Sequence, residues 1–409
     1  MEKIYKREDY LKKVRGFYKD DMIKVISGIR RCGKSFFLKS IIQELLENGV
    51  QEKDIIYIEL DKKEYKNIKT PKQLEKVIDK QIVDNDFKYL FIDEIQNVKG
   101  FEPLINSYRE DGNISIFITG SNSYLLSGEL ITKLTGRYIE IEMMTLSFYE
   151  YVDMKRFLNK SVNSNIYLEF EEYIRNGGFP KSLFYDNYEE KITYTSSVIN
   201  QIFEKDIKTS NRINDKSLFE RIEKFVINNF GAVISIRNIY NYLRKEARIN
   251  VDRRTIKRYL DILEKAKIIY PCELFDIKSK SVLKDEKKYY LADLSIYYTL
   301  NTDNRINYGP VLENVMYSYL KSKNYKLSVG HIGNLECDFI ARANYDDYYY
   351  IQVSKDISNK ETEEREYRPF YKIKEQYPRY LFTMDLLLQK RDGVKHENIV
   401  DFIYNNKKL

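Results

Sequence analysis

Histidine and cysteine are nearly absent from this sequence. His331 and His396 are its two histidines, Cys32, Cys272 and Cys337 its three cysteines, and there is no tryptophan. No metal-ligand or pairing spacing links these residues, which excludes a zinc-finger class and a disulfide framework. Free thiols point to a reducing compartment. No window reaches the roughly 18 apolar residues that a membrane span needs, and no apolar core follows Met1-Glu2-Lys3. A cytoplasmic protein with no membrane partner is expected. Pro/Ser-rich linkers, internal repeats and low-complexity tracts are missing as well, so the domains are expected to pack against one another.

A strong charge bias is also lacking. Lys and Arg total 69 against 62 Asp and Glu, a net +7, and lysine, isoleucine, asparagine and 37 tyrosines together fit AT-rich coding. Mild basicity of that origin does not argue for nucleic acid; only local clustering can. What is present is globular material. Hydrophobic residues make up 43% and charged residues 32% of 409 positions, enough for about two to four domains.

One stretch carries specific chemistry. Gly28-Ile29-Arg30-Arg31-Cys32-Gly33-Lys34-Ser35 spells G-x-x-x-x-G-K-[ST]. It follows an apolar run, Met22 to Ser27, and precedes Phe37, Leu38, Ile41, Ile42, Leu45 and Leu46 at helical spacing, which Asn48-Gly49 ends. Strand, loop, helix is the context a phosphate-binding loop requires. Its glycines let backbone N–H groups face phosphate oxygens, and the helix N-terminus favours negative charge. Lys34 is expected to reach the β- and γ-phosphates of ATP, and the Ser35 hydroxyl to help hold Mg2+. Cys32 in this loop reads either as an alkylation-sensitive thiol or, better, as a small residue that fits.

The second half of such a site follows 59 residues after Lys34, where the apolar run Tyr89 to Ile92 ends in Asp93-Glu94. Asp93 suits the Mg2+ shell. Glu94 is placed to polarise a water for in-line attack. A third apolar run, Ile114 to Thr119, leads into Gly120-Ser121-Asn122-Ser123. Ligands of such sheets lie beyond the strands' carboxyl ends, so Ser121 or Asn122 reads as a contact to the γ-phosphate or the attacking water, or else as a turn residue. Arg137, just before the run Ile139 to Met143, is a candidate finger on the transition-state charge, from its own subunit or a neighbour's.

These motifs, with Leu146-Ser147-Phe148-Tyr149-Glu150-Tyr151, Gly177-Gly178-Phe179-Pro180 and Arg365-Glu366-Tyr367-Arg368-Pro369, resemble a prokaryotic AAA-type P-loop ATPase family with a C-terminal DUF4143 domain. The resemblance spans nearly the whole chain. It implies a AAA+-like core with a helical lid, gives Arg137 a nucleotide-sensing role, and accommodates Arg30 and Arg31 inside the loop. By analogy a lid arginine contacts nucleotide, without a particular residue standing out. No substrate comes with the resemblance.

The fold class expected is therefore α/β, with a parallel-sheet ATPase core over 1–145 and a helical lid over 146–210. Within the lid, Tyr167, Phe170, Tyr173 and Ile174 recur at helical spacing up to Asn176-Gly177-Gly178-Phe179-Pro180. Residues 211–292 read as a winged helix-turn-helix: three helices, the third from Arg253 to Ala266, then strands around Ile268 to Pro271 and Lys287 to Leu291. Arg244 to Lys267 holds nine Lys/Arg against four Asp/Glu. Arg253, Arg254, Lys257 and Arg258 recur on one side, where DNA phosphates or a protein partner could be met; a merely solvated face is the alternative.

Residues 293–409 resemble a degenerate PD-(D/E)xK nuclease fold. Glu313 lies on a helix expected over Val311 to Lys321, and Asp338 lies in a strand. Gln352 and Ser354 stand where an active enzyme has its Glu and Lys, and an amide brings no charge to a hard cation. Lys355 cannot substitute, because neighbouring strand residues face opposite sides. An inactive scaffold is expected. The leading functional expectation is a Mg2+-dependent ATP hydrolase acting as a switch on DNA or a protein, with assembly into a homo-oligomer if Arg137 acts in trans. An ATP-regulated nuclease and a non-hydrolytic tether are the alternatives.

Overall fold

The computed structural model describes residues 3–120, 134, 136–208, 213–245, 248–303, 305–343 and 347–409, the side chains of 284 and 285 excepted. Two compact units divide the chain. The first comprises Met1–Met143 and Gln201–Asn211, the second Met144–Asn200 and Arg212–Leu409.

The first unit is built on five strands: β1 (Ile23–Gly28), β2 (Ile55–Glu59), β3 (Lys88–Asp93), β4 (Ile114–Thr119) and β5 (Tyr138–Met143). Their order is β2-β3-β4-β1-β5, and every pairing is parallel. A parallel sheet is covered on both faces, which is why β1, β3 and β4 are buried at every position and read as mainly apolar runs. Val25, Ile58, Leu90, Ile92, Ile116 and Ile118 share one core with Leu74, Ile78 and Ile105 from the covering helices. Phe91 and Phe117 stack at 4.6 Å. Lys24 is the charged exception in β1. Its ammonium donates to the Asp20 carbonyl at 2.9 Å and Ser115 Oγ at 2.8 Å, and burial brings its pKa down to about 8.

Among the described residues the helices α1 (Glu8–Val14), α2 (Lys34–Glu47), α3 (Pro71–Asp79) and α4 (Glu102–Glu110) accompany these strands. The segment Gln201–Asn211 also belongs to this unit and contains a π-helical turn, Ile202–Ile207. The lid expected over 146–210 therefore loses its last residues to the core. Sequence periodicity registers only local repeats and is blind to which unit a helix end packs on.

The second unit begins with α5 (Phe148–Phe157), α6 (Ile166–Asn176) and α7 (Tyr188–Gln201), the last residue of which counts with the first unit. Ser147 opens α5 with a capping box: its hydroxyl accepts from the Glu150 N–H, and the Glu150 carboxylate accepts from the Ser147 N–H. After α6 the chain turns at Gly177, φ +72°, where a Cβ would lie 1.8 Å from Asp293 Oδ1. Asp293 is buried and accepts from the Gly178 N–H at 2.8 Å and the Ser295 N–H at 3.0 Å.

Helices α8 (Lys216–Asn228), α9 (Ile236–Lys245) and α10 (Arg253–Lys265) follow. Then comes a nine-stranded sheet in the order β13-β14-β12-β11-β10-β9-β7-β8-β6. Its members are β6 (Val233–Ser235), β7 (Ile269–Asp276), β8 (Ser281–Leu291), β9 (Lys326–Ile332), β10 (Leu335–Arg342), β11 (Tyr348–Val353), β12 (Arg379–Thr383), β13 (Lys390–Arg391) and β14 (Val394–Asn398). The hairpin β7–β8 is longer than expected, and β7 pairs in parallel with β9 at Leu274↔Val329 and Phe275↔Gly330. The boundary expected at 292/293 thus falls inside one continuous sheet. Pairing across an edge depends on groups far apart in sequence, so composition did not reveal it. α11 (Leu294–Leu300), α12 (Tyr308–Ser322), α13 (Lys360–Lys372) and α14 (Ile399–Tyr404) complete the unit. Among the described residues no helix is long and apolar enough to cross a membrane.

Candidate functional site

The loop after β1 is shaped by close approach. Gly28, φ +138°, pairs with Met143 of β5, and a Cβ on it would lie 2.3 Å from the Met143 carbonyl oxygen. Any side chain there would push the loop off the sheet. The Cys32 N–H donates to the Ile29 carbonyl at 3.2 Å, Arg31 takes a left-handed φ of 70°, and α2 begins at Lys34. The Lys34 ammonium, 7% exposed, donates to the Gly28 carbonyl at 2.9 Å and the Ile29 carbonyl at 3.3 Å. It therefore lies within the curl of the loop. Cys32 is fully buried with its sulfur packed toward Gly28, which accounts for a small residue at that position.

The carboxyl end of β3 supplies the acids. Asp93 is 6% exposed and receives a hydrogen bond from the Thr119 hydroxyl. Burial raises its pKa; Thr119, Ser35 and the Lys34 charge act the other way. Thr119 also accepts the Glu94 N–H at 3.1 Å, so one hydroxyl ties both acids to the end of β4. Glu94 itself sits at φ 60°, ψ 47°, a left-handed conformation that costs a non-glycine residue about 1–3 kcal/mol and clusters at functional sites. Its carboxylate accepts from the Gln96 side-chain amide. Neither Thr119 nor Gln96 stood out in the sequence. The only signal was a hydroxyl residue closing an apolar strand.

Ser35 and Asp93 thus offer two neighbouring side-chain oxygens, the donor type a hard divalent cation takes. The pair fits Mg2+.

The two arginines inside the loop point to another segment. Arg30 makes a two-pronged ion pair with Asp206 of the π turn, Nε to Oδ2 at 2.9 Å and Nη2 to Oδ1 at 2.7 Å. Arg31 donates to the Gln201 side-chain oxygen at 3.1 Å. Arg137 lies elsewhere. Its carbonyl accepts the Ile23 N–H at 2.9 Å, and Tyr138 pairs with Ile23, at the amino end of β1. The phosphate loop is at the carboxyl end, roughly 20 Å away at about 3.3 Å per strand residue. Arg137 is therefore remote from the phosphate loop of its own subunit. Asn122 and Ser121 lie outside the described residues.

Residues 20–152 match the AAA domain family, which brackets every one of these groups except Asp206 and Gln201. Along almost its whole length the chain resembles an uncharacterized protein of Haemophilus influenzae, 34% identical over 400 residues, 97% of this chain and 98% of that one. The chain belongs to that protein's family, with an AAA domain at its N-terminus. A protein of Methanocaldococcus jannaschii is 30% identical over 364 residues, covering 86% of this chain and 78% of that one. The Walker-type ATPase of Pyrococcus abyssi shares the fold at 17% identity, with a TM-score of 0.53 over 73% of this chain and 96% of that one.

The DUF4143 assignment does not hold. Residues 167–306 of this AAA-domain protein match a different domain of unknown function, DUF8612. The motifs that suggested DUF4143 have local structural causes: Ser147 and Glu150 cap a helix, and Gly177 leaves room for Asp293. Such solutions recur wherever the same packing problem does.

In the second unit of the AAA-domain protein, one of the two expected nuclease-like carboxylates, Glu313, faces a lysine together with Glu336, which the sequence had not singled out. Lys288 of β8 is buried, with its ammonium 2.9 Å from Glu313 Oε2 and 2.6 Å from Glu336 Oε1. Tyr290 adds a hydrogen bond to Glu313 Oε2 at 3.0 Å. Asp338 accepts the Val353 N–H at 2.8 Å, and the Gln352 side chain takes the Asp338 N–H at 2.7 Å while donating to Glu366 at 3.1 Å. On α10, Arg253, Arg254, Lys257 and Arg258 are all exposed, beside buried Ile256, Tyr259 and Leu260. Arg254 is drawn to Asp252 at 2.9 Å, and Arg253 lies over the Tyr240 ring at 5.1 Å.

Proposed function

We propose that the protein binds ATP and hydrolyses it with Mg2+, serving as a AAA-type switch. One observation carries this reading: Lys34, Ser35, Asp93 and Glu94, from two separate strand ends, meet at the carboxyl edge of one parallel sheet. Lys34 grips the terminal phosphates. Ser35 and Asp93 hold Mg2+, which when bound neutralises charge on the phosphate oxygens. Glu94, with its backbone pinned by Thr119, orients the attacking water and takes its proton. Arg137 serves only a neighbouring copy in this reading, and Asn122 remains a candidate γ-phosphate contact. An ATP-using switch with three buried free thiols suits the cytoplasm.

Phosphate release by the purified chain tests this. Lys34→Ala should abolish MgATP binding, whereas Glu94→Gln should keep binding and lose about 10²–10⁴-fold in turnover, the range for a general base. Turnover by Glu94→Gln at the parental rate would overturn the assignment of the base.

The exposed basic side of α10 supports DNA as a partner, met through phosphates by Arg253, Arg254, Lys257 and Arg258. The buried Lys288 supports an inactive nuclease-like scaffold. An ammonium already neutralises Glu313 and Glu336, where a cleaving enzyme of that type keeps carboxylates free for metal.

A further inference from the structure

Arg30 occupies the third position of the phosphate loop, yet it is anchored 176 residues away. The pair is well shielded, with side-chain exposures of 12% for Arg30 and 7% for Asp206. A parallel fork of this kind fixes the guanidinium plane as well as its position. Nε and Nη2 are spent on Asp206, which leaves the two Nη1 hydrogens without a partner among the described residues. Burial works against the Arg30 charge. Asp206, then Glu94 and Asp61, more than restore it, so the cation shares a field with the candidate base. Asp206 sits in a π-helical turn, closed by the Lys208 N–H to the Phe203 carbonyl at 2.8 Å. Turns of this type are rare and frequent at functional sites. Arg137, the other candidate cation, is at the wrong end of the sheet.

Resting on the nucleotide reading above, we propose that Arg30 is the cation that meets the terminal phosphate of a bound nucleoside triphosphate, and that Asp206 positions it. Asp206 occupies one edge of the fork, and the other edge is the one offered to phosphate. The Arg30 charge is then supplied in cis, with no neighbour needed, and distinguishes a triphosphate from a diphosphate. Arg31 and Gln201 hold the same segment from the adjacent loop position.

The test uses the full chain, calorimetry with MgATP and with MgADP, and steady-state phosphate release. Asp206→Asn keeps the shape but removes the anchoring charge. It should leave MgADP affinity within about threefold and lower kcat by about tenfold or more, with KM little changed, as for loss of a charge-assisted positioning contact. Asp206→Glu should recover part of that loss, which a mere folding defect would not show. Arg30→Ala should bring MgATP affinity down to that of MgADP. Asp206→Asn with kcat within twofold of the parent, or Arg30→Ala with undiminished preference for triphosphate, overturns this assignment alone. A parent that binds neither nucleotide overturns the nucleotide reading with it.

Discussion

Replacing Lys288 by methionine keeps the length of the side chain and removes the charge that faces Glu313 and Glu336. Lys288 is buried, and although burial opposes its charge, Glu313, Asp338 and Glu336 hold its pKa above the ordinary value. Truncating one member of a buried ion pair leaves the other uncompensated, at about 3–5 kcal/mol. For a unit of this size that is a fall of about 6–20 °C in melting temperature, at about 2–4 °C per kcal/mol. The pH dependence follows from Glu313, whose pKa burial already raises while Lys288 holds it back. Without the lysine it rises further. A carboxyl group raised above its unfolded value stabilises the fold below that unfolded value and loses the contribution as pH rises through the folded value. The Lys288→Met defect should therefore be large at pH 8 and smaller at pH 5, and adding Glu313→Gln should recover most of it at pH 8. Thermal unfolding by circular dichroism at the two pH values decides. A single mutant that melts with the parent at pH 8, or a double mutant no better than the single, would refute the reasoning.

Gly177→Ala places a methyl against Asp293 in a left-handed backbone and should cost about 2–5 kcal/mol from strain and overpacking together, read by urea denaturation; an unchanged midpoint would contradict the packing described. Arg137→Ala should leave ATP turnover of the dilute, monomeric chain unchanged, because the sheet separates it from its own loop; a loss independent of protein concentration would contradict that geometry. Combined Arg253→Ala and Lys257→Ala should weaken double-stranded DNA binding and flatten its salt dependence by about two units of log–log slope, at about one per phosphate contact. Equal slopes for parent and variant would remove α10 from the contact surface.

How much of this was legible beforehand depends on sequence distance. The phosphate loop and the Asp93-Glu94 strand end are chemical demands met by consecutive residues, so composition and spacing expose them. The parallel core was readable for a related reason, since strands covered on both faces are mainly apolar. The hairpin boundaries, the continuity of the larger sheet and the return of Gln201–Asn211 to the first unit were not. Each rests on pairing or packing between segments with no local signature.

By itself, then, the sequence determined the α/β core and the identity of the groups proposed to handle a triphosphate, because those follow from adjacent residues and strand burial. Only the tertiary structure decided their company. It set Asp206 on Arg30, Thr119 on both acids, Lys288 among the carboxylates and Arg137 at the far edge of its own sheet. These are interactions between charges and dipoles at a few ångströms, and chain folding alone brings such distant positions within that range.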